Sequence, residues 1–294
     1  MRQAPVLAKP QDRAKELESV LSSIMTAEEY SRTEHEMPYL FELKAGEKQL
    51  RYFGSFHVMD PEDPVFEQIE KSFNEIDPDI VLVEGVSILG DTESFNTQVK
   101  AESREQAIKE MGESGFVLKL ALDKGIEWRS PEPPDQSIYD HLLQEGFSKE
   151  QVFTWDVFRI LPQYARLVEK HGFENYVSRF IKEFKNSTNW EEFDYSYGNA
   201  MHLGEQILGK RIDVENVPDA SSLTSPIPSD EAKENQTVLN RVNEATSLFR
   251  DQRIVTDIAE ALKTHKRIFI VYGFSHAVMQ ESALRKLFSL QRQG

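Results

Sequence analysis

Cysteine is missing from all 294 residues. Its absence excludes a disulfide framework, a thiol nucleophile, a thiolate zinc site and an iron–sulfur cluster. Positive charge is scarce: Lys plus Arg number 34 against 50 Asp plus Glu, a formal net charge of -16 at pH 7. A surplus of that sign repels phosphate backbones and no Lys/Arg-rich run offsets it, so no nucleic-acid partner is expected. Apolar runs long enough to span a bilayer are lacking. The stretch Met1 to Asp12 is polar, without the apolar segment of a signal peptide. The expectation is a cytoplasmic chain without a membrane span. Hydrophobic residues at 39% and charged residues at 29% are ordinary for a globular protein, and the length holds a large domain with a sizeable insertion. Oligomeric state has no signal in the sequence.

What is present alternates between strand and helix patterns. Residues 1–35 read as an N-terminal arm and an amphipathic helix, with Leu17, Val20, Leu21 and Ile24 at helical spacing. Residues 38–44 and 48–53 flank a short Ala-Gly-Glu connection and predict a β-hairpin. A turn at Asp60 to Pro64 opens a helix through about residue 75. Residues 79–83 (DIVLV) form a continuous apolar run, the mark of a buried parallel strand, and Glu84-Gly85 follow it. A helical stretch over 101–124 and a short strand from Ile126 to Arg129 come next. Residues 136–212 read as a helical insertion rich in aromatics, and 217–230, rich in Pro and Ser, as a loop. One or two helices over 231–263, a strand over 267–272 and a helix over about 279–291 complete the chain. This order predicts an α/β fold: a mostly parallel mixed sheet flanked by helices, with residues 36–294 a single domain interrupted by the helical insertion.

Three residues share one structural address. His57 follows the strand 48–53, Glu84 ends the strand 79–83, and His276 follows the strand 267–272. In an open α/β sheet, ligands bind at the carboxyl ends of the strands. Two imidazoles and a carboxylate at that edge can converge although far apart in sequence. Gly54 and Gly273 are expected to supply the backbone freedom for a sharp turn. The two segments, strand then G-x-x-H, also form a pseudo-repeat. Taken singly, a His after a strand more often caps a loop or bonds a carbonyl, and a Glu at a strand end can simply face a helix N-terminus. Three such residues at equivalent strand ends point to a shared functional site.

Gly54-Ser55-Phe56-His57, Val81-Leu82-Val83-Glu84-Gly85 and Gly273-Phe274-Ser275-His276 together resemble the TraB/PrgY/TIKI family, part of the erythromycin esterase/ChaN-like superfamily. Arg250-Asp251-Gln252-Arg253-Ile254 is similar to that family's Arg-Asn-x-x-Met helix, departing at Asp251 for the usual Asn and at Ile254 for the usual Met. The order His, Glu, Arg, His is kept. The resemblance spans about residues 48–90 and 245–280 and leaves 136–212 unmatched. It implies that His57, Glu84, Arg250 and His276 line the site. TIKI members are described as metal-dependent proteases, erythromycin esterases use a similar set to open an ester, and ChaN-like proteins are associated with haem or iron.

Three functions follow from these residues. In a metal-dependent hydrolase, His57, Glu84 and His276 would hold a divalent ion such as Mn, Co or Zn with an open position, the ion activating water. Arg250 would bind a substrate carboxylate or steady an oxyanion from across the pocket. In a metal-free hydrolase, His57 or His276 acts as general base beside Glu84. In a binding protein without catalysis, the site holds haem or a peptide. The substrate is a small molecule or a peptide in either hydrolase. Ser55 and Ser275 adjoin the site and are candidate substrate contacts; Ala277 breaks the G-x-S-x-G pattern that a serine nucleophile would favour. Trp155 and Tyr164 are the candidates for lining a groove, against the commoner role of aromatics as core. Asp60 reads chiefly as a helix cap, Glu132 as a turn residue or second carboxylate, and His202 with Glu205 as a solvated pair on one helix face.

Overall fold

The computed structural model describes residues 10–86, 91–165, 171–216, 220–224 and 236–292. They form a mixed α/β fold, with a five-stranded, mostly parallel sheet flanked by helices. The chain divides into two compact units. One comprises Met1–Thr26, Arg32–Glu132 and Asp251–Gly294, the other Ala27–Ser31 and Pro133–Arg250.

The first unit holds the sheet. Strand β1 (Tyr39–Ala45) and strand β2 (Lys48–Ser55) form the expected antiparallel hairpin. Strands β3 (Ile80–Val83), β4 (Glu127–Arg129) and β5 (Arg267–Gly273) complete the order β1-β2-β5-β3-β4, in which β2, β5, β3 and β4 are parallel. The last strand in sequence is thus inserted between two earlier ones. That insertion brings Ser55 opposite Gly273 and Val83 opposite Val271.

Side-chain alternation divides the core into two faces, as the two-residue strand period requires. Leu50 and Tyr52, Ile80 and Leu82, and Ile268, Ile270 and Tyr272 pack on one face, where Val20, Ile254, Ile258, Leu284 and Phe288 cover them. Phe53, Val81 and Val83, and Phe269 and Val271 pack on the other, under Phe66, Ile69, Phe73, Phe116 and Val117. Both faces of β3 and β5 are covered, so their sequences are continuous apolar runs.

Three boundaries differ from the sequence reading. The helical stretch begins earlier and divides into Thr92–Ala101 and Arg104–Lys124, each capped by a side chain, Asp91 and Ser103 respectively. The C-terminal helix begins at Phe274, directly after β5, rather than near residue 279. Of the loop expected over 217–230, a 3-10 turn at Ala220–Leu223 is described; most of the rest, with residues 231–235 of the next expected helix, lies outside the described residues.

The second unit is helical. Helices Asp135–Gln144, Lys149–Phe158, Phe173–Thr188 and Tyr197–Leu208 enclose a core of Phe153, Phe158, Phe173, Phe184 and Tyr164. Residues 136–212, read as the insertion, lie inside it. The long helix Val238–Thr264 contributes Leu239 and Val242 to this core, while its residues from Asp251 onward belong to the sheet unit. Among the described residues no helix is long and apolar enough to cross a membrane.

Candidate active site at the carboxyl edge of the sheet

Glu84 sits one residue beyond β3 and is held on three sides. Its backbone N–H donates to Val271 O (3.3 Å), and its carbonyl accepts from Ser114 Oγ (2.8 Å). Its carboxylate oxygen Oε2 accepts from the Gly273 N–H at 2.5 Å. Two neighbouring elements, β5 through Val271 and Gly273 and the helix Arg104–Lys124 through Ser114, therefore fix where the carboxylate points.

The two histidines flank it. His276 Nε2 lies 3.6 Å from Glu84 Oε1, and His57 Nε2 lies 3.9 Å from Glu84 Oε2. His57, Glu84 and His276 thus come together at one edge of the sheet. Neither distance is a hydrogen bond.

The two histidines are presented differently, so the pseudo-repeat ends at the glycines. His276 lies in the first turn of the C-terminal helix and is buried. His57 is in an extended loop with φ of 62°, in the left-handed region, and its side chain is 68% exposed. The glycines act through close approach rather than backbone freedom. A Cβ on Gly54 would come within 2.8 Å of Ala277 Cβ and 2.9 Å of Phe274 Cα. One on Gly273, whose φ is -53°, would come within 3.2 Å of His57 Nε2 and 3.3 Å of Glu84 Oε2. Gly273 is therefore the opening through which the imidazole and the carboxylate face each other.

Two further carboxylates complete the site. Asp251, fully buried, places Oδ1 at 2.6 Å from His276 Nδ1 and at 2.6 Å from Gln280 Nε2, which donates to it. Gln280 in turn accepts from Tyr52 OH at 3.1 Å. An ionised carboxylate only accepts, so in this contact Nδ1 of His276 is the donor. Glu113, also buried, accepts from Ser55 Oγ (2.6 Å) and from the Val58 N–H (2.7 Å), with Oε2 4.0 Å from His57 Nδ1. Sequence reading singled out neither as a site residue. Asp251 had a signal only through the resemblance noted above, as a position that departs from the resembled pattern's Asn. Glu113, inside a helix with no local motif, had none.

The remaining candidates lie elsewhere. Ser55 is buried and bonded to Glu113, so it shapes the site rather than touching a substrate. Ser275 is half-buried in the first helical turn beside His276. Trp155 and Tyr164 are corrected from groove-lining to core residues. Trp155 donates to Asn243 Oδ1 (2.9 Å) inside the helical unit. Tyr164 bonds Glu215, and burial together with that carboxylate pushes its phenol up to about 12. Both are within 3% of complete burial, which leaves no surface for a ligand. Arg250 is half-buried and is the last residue of the helical unit. Asp60 closes a turn onto the Glu62 N–H; the helix it was expected to cap starts at Val65, whose N–H bonds Asp63. His202 pairs with Gln206 (3.0 Å) on its own helix.

The donors suit a divalent ion in type, two imidazole nitrogens and a carboxylate, and the Asp251 contact is the kind that orients a ligating imidazole. Their spacing is looser: among the described residues no group of three His, Asp or Glu side chains is arranged to hold a metal ion. No protein-family model matches the chain, and no curated protein or solved structure matches it either.

Proposed function

We propose that the chain is a hydrolase of the TraB/PrgY/TIKI kind that opens a peptide or ester bond at this sheet edge. In this reading His276 is the general base and Glu84 holds the attacking water. The observation that supports it is the 2.6 Å contact between His276 Nδ1 and Asp251. With Nδ1–H given to Asp251, the Nε2 lone pair faces Glu84 Oε1 across 3.6 Å. In this reading a water molecule between them gives one hydrogen to Nε2 and the other to Glu84.

The reaction then balances without further groups. Nε2 takes a proton from the water as its oxygen attacks the carbonyl carbon. The tetrahedral intermediate collapses, and Nε2–H returns the proton to the leaving amine or alkoxide, giving an amine or alcohol and a carboxylic acid, which then loses the second water proton to solvent. Asp251 steadies the transient imidazolium. Arg250 as an electrophile for the oxyanion or a substrate carboxylate rests on the resemblance alone.

A metal-dependent variant is favoured by one observation, the approach of both Nε2 atoms to opposite oxygens of Glu84, at 3.6 and 3.9 Å. His57, Glu84 and His276 would then hold the ion, which when bound supplies an activated water at neutral pH.

The test is hydrolysis of a panel of p-nitrophenyl esters and internally quenched peptides by the wild type, His276→Ala and His57→Ala, with elemental analysis of each. Loss of about 100-fold or more in His276→Ala, insensitive to chelator, is the expected result. Chelator-sensitive cleavage restored by Mn, Co or Zn, with stoichiometric metal lost in both variants, would move the reading to the metal-dependent variant. Wild-type inactivity on both substrate classes, with a Soret band appearing on haem titration, would replace hydrolysis by haem binding.

A further inference from the structure

Glu113 carries more than its burial explains. It lies on the helix Arg104–Lys124 one residue after a break at Gly112, where φ is 58° and ψ is -138°. A Cβ at position 112 would come within 2.9 Å of Val58 O, so the break is where the helix meets the His57 loop. Glu113 is 4% exposed, and leaving a carboxylate there is costly unless its oxygens are occupied.

One oxygen is fully occupied. Glu113 Oε1 accepts from Ser55 Oγ and from the Val58 N–H, the residues two before and one after His57. This clamp spans the turn and holds His57 in its left-handed conformation, which a residue with a Cβ adopts only when its surroundings impose it. The clamp alone requires one acceptor, which a Gln would supply at lower desolvation cost. What the carboxylate adds is its second oxygen, and Oε2 lies 4.0 Å from His57 Nδ1.

We propose that Glu113 is a positioning residue for His57: Oε1 clamps the loop, and Oε2 draws the ring proton to Nδ1 so that Nε2 faces Glu84 as an acceptor. Glu113 stands behind His57 as Asp251 stands behind His276, at 4.0 Å rather than at the 2.6 Å of a hydrogen bond. Glu113, His57, Glu84, His276 and Asp251 then alternate carboxylate and imidazole, with both Nε2 atoms turned to the central Glu84. Outer carboxylates that orient imidazoles in this way raise their basicity and fix the tautomer. The consequence for turnover rests on the hydrolase reading; the tautomer does not.

The test is Glu113→Gln in the full chain. The Val58 N–H needs an acceptor, so the amide oxygen takes the Oε1 place and the NH2 is turned toward His57 Nδ1. The clamp survives while the group facing the ring changes from acceptor to donor. The readout is the long-range 1H–15N correlation of His57 in 15N-labelled protein, above the pH range of imidazole titration, assigned by comparison with His57→Ala. The expected result is an Nδ1–H tautomer in the wild type and an Nε2–H tautomer in Glu113→Gln, with the melting temperature held and kcat lowered about 10–100-fold at constant KM. Glu113→Asp, which keeps the charge, should return part of the Nδ1–H form. An unchanged tautomer in Glu113→Gln would overturn the proposal and leave Glu113 a clamp only. If that variant does not fold, an Nε2–H tautomer in the wild type overturns it equally. A tautomer that inverts in a protein that cleaves no ester or peptide would uphold the positioning role and refute the hydrolase reading instead.

Discussion

The two units handle buried polar groups in opposite ways. In the helical unit several are closed by partners at hydrogen-bond distance. Trp155 donates to Asn243, Tyr139 to Asp156 (3.1 Å), Arg159 to Asp156 (2.8 Å), and the Phe173 N–H to Glu215 (2.8 Å). Around them the aromatic rings pack edge-on, as Phe153 does against Phe193 and Tyr195. At the carboxyl edge of the sheet the outer carboxylates are anchored, but the inner contacts of Glu84 with His57 and His276 stop at 3.9 and 3.6 Å. A closed network stabilises a fold. At the sheet edge the two imidazoles instead approach one carboxylate without hydrogen-bonding it.

That contrast can be broken most severely at Phe153. It is completely buried among Phe184, Phe193 and Tyr195, so Phe153→Ala should cost about 3–5 kcal/mol of unfolding free energy by the loss of burial and the cavity left behind. Urea denaturation followed by circular dichroism measures it. Under native conditions the variant should keep the turnover of any ester or peptide the wild type cleaves. A folded variant without turnover would show that the helical core does more than pack.

Asp251 gives the next largest effect, in rate rather than stability. Asp251→Ala removes the partner of His276 Nδ1 and should lower kcat about 100-fold, equivalent to about 2.7 kcal/mol. Asp251→Asn should cost about tenfold or less. A single oxygen, Oδ1, makes both contacts, while Oδ2 is buried with no hydrogen-bond partner among the described residues. An Asn can keep its oxygen at the Oδ1 position and put its NH2 where Oδ2 stands, so the tautomer is preserved and only the charge is lost. Equal losses in the Ala and Asn variants, read from kcat and the His276 tautomer together, would refute it. Glu113→Gln is predicted to behave in the opposite way, because there the second oxygen is the one that faces the ring.

The smallest effect tests the reassignment of Trp155. Trp155→Phe deletes the hydrogen bond to Asn243 and should lower stability by about 1 kcal/mol in the same urea experiment, with KM unchanged. A rise in KM without loss of stability would restore Trp155 to the substrate groove.

Much of the fold was legible because its signals are local. The apolar runs of β3 and β5, the hairpin punctuated at Gly46 and the helical spacing of Leu17, Val20, Leu21 and Ile24 each report a neighbourhood of a few residues. The boundaries that slipped had weak local signals. The C-terminal helix starts at Phe274 with no side-chain cap to announce it, and the earlier helix break at Gly112 stands where the pattern runs on. The candidate site was legible in part for the same reason: His57, Glu84 and His276 each stand at a strand end, and strand ends can be read.

By itself, the sequence determined that the chain has an α/β pattern without thiols or an apolar membrane-spanning run, and that two histidines and a glutamate end or follow strands. The tertiary structure alone decided which strands are neighbours. It put β5 between β2 and β3, although β5 comes last in the chain. That placement brings His57 and His276 to opposite oxygens of one carboxylate. It also decided that the supporting groups are Glu113 and Asp251, residues of helix interiors that no strand-end rule selects. The physical reason is range. Periodicity and turn chemistry act over a few bonds of chain, whereas a site assembled from positions 57, 84, 113, 251 and 276 exists only once long-range packing has closed the loops between them.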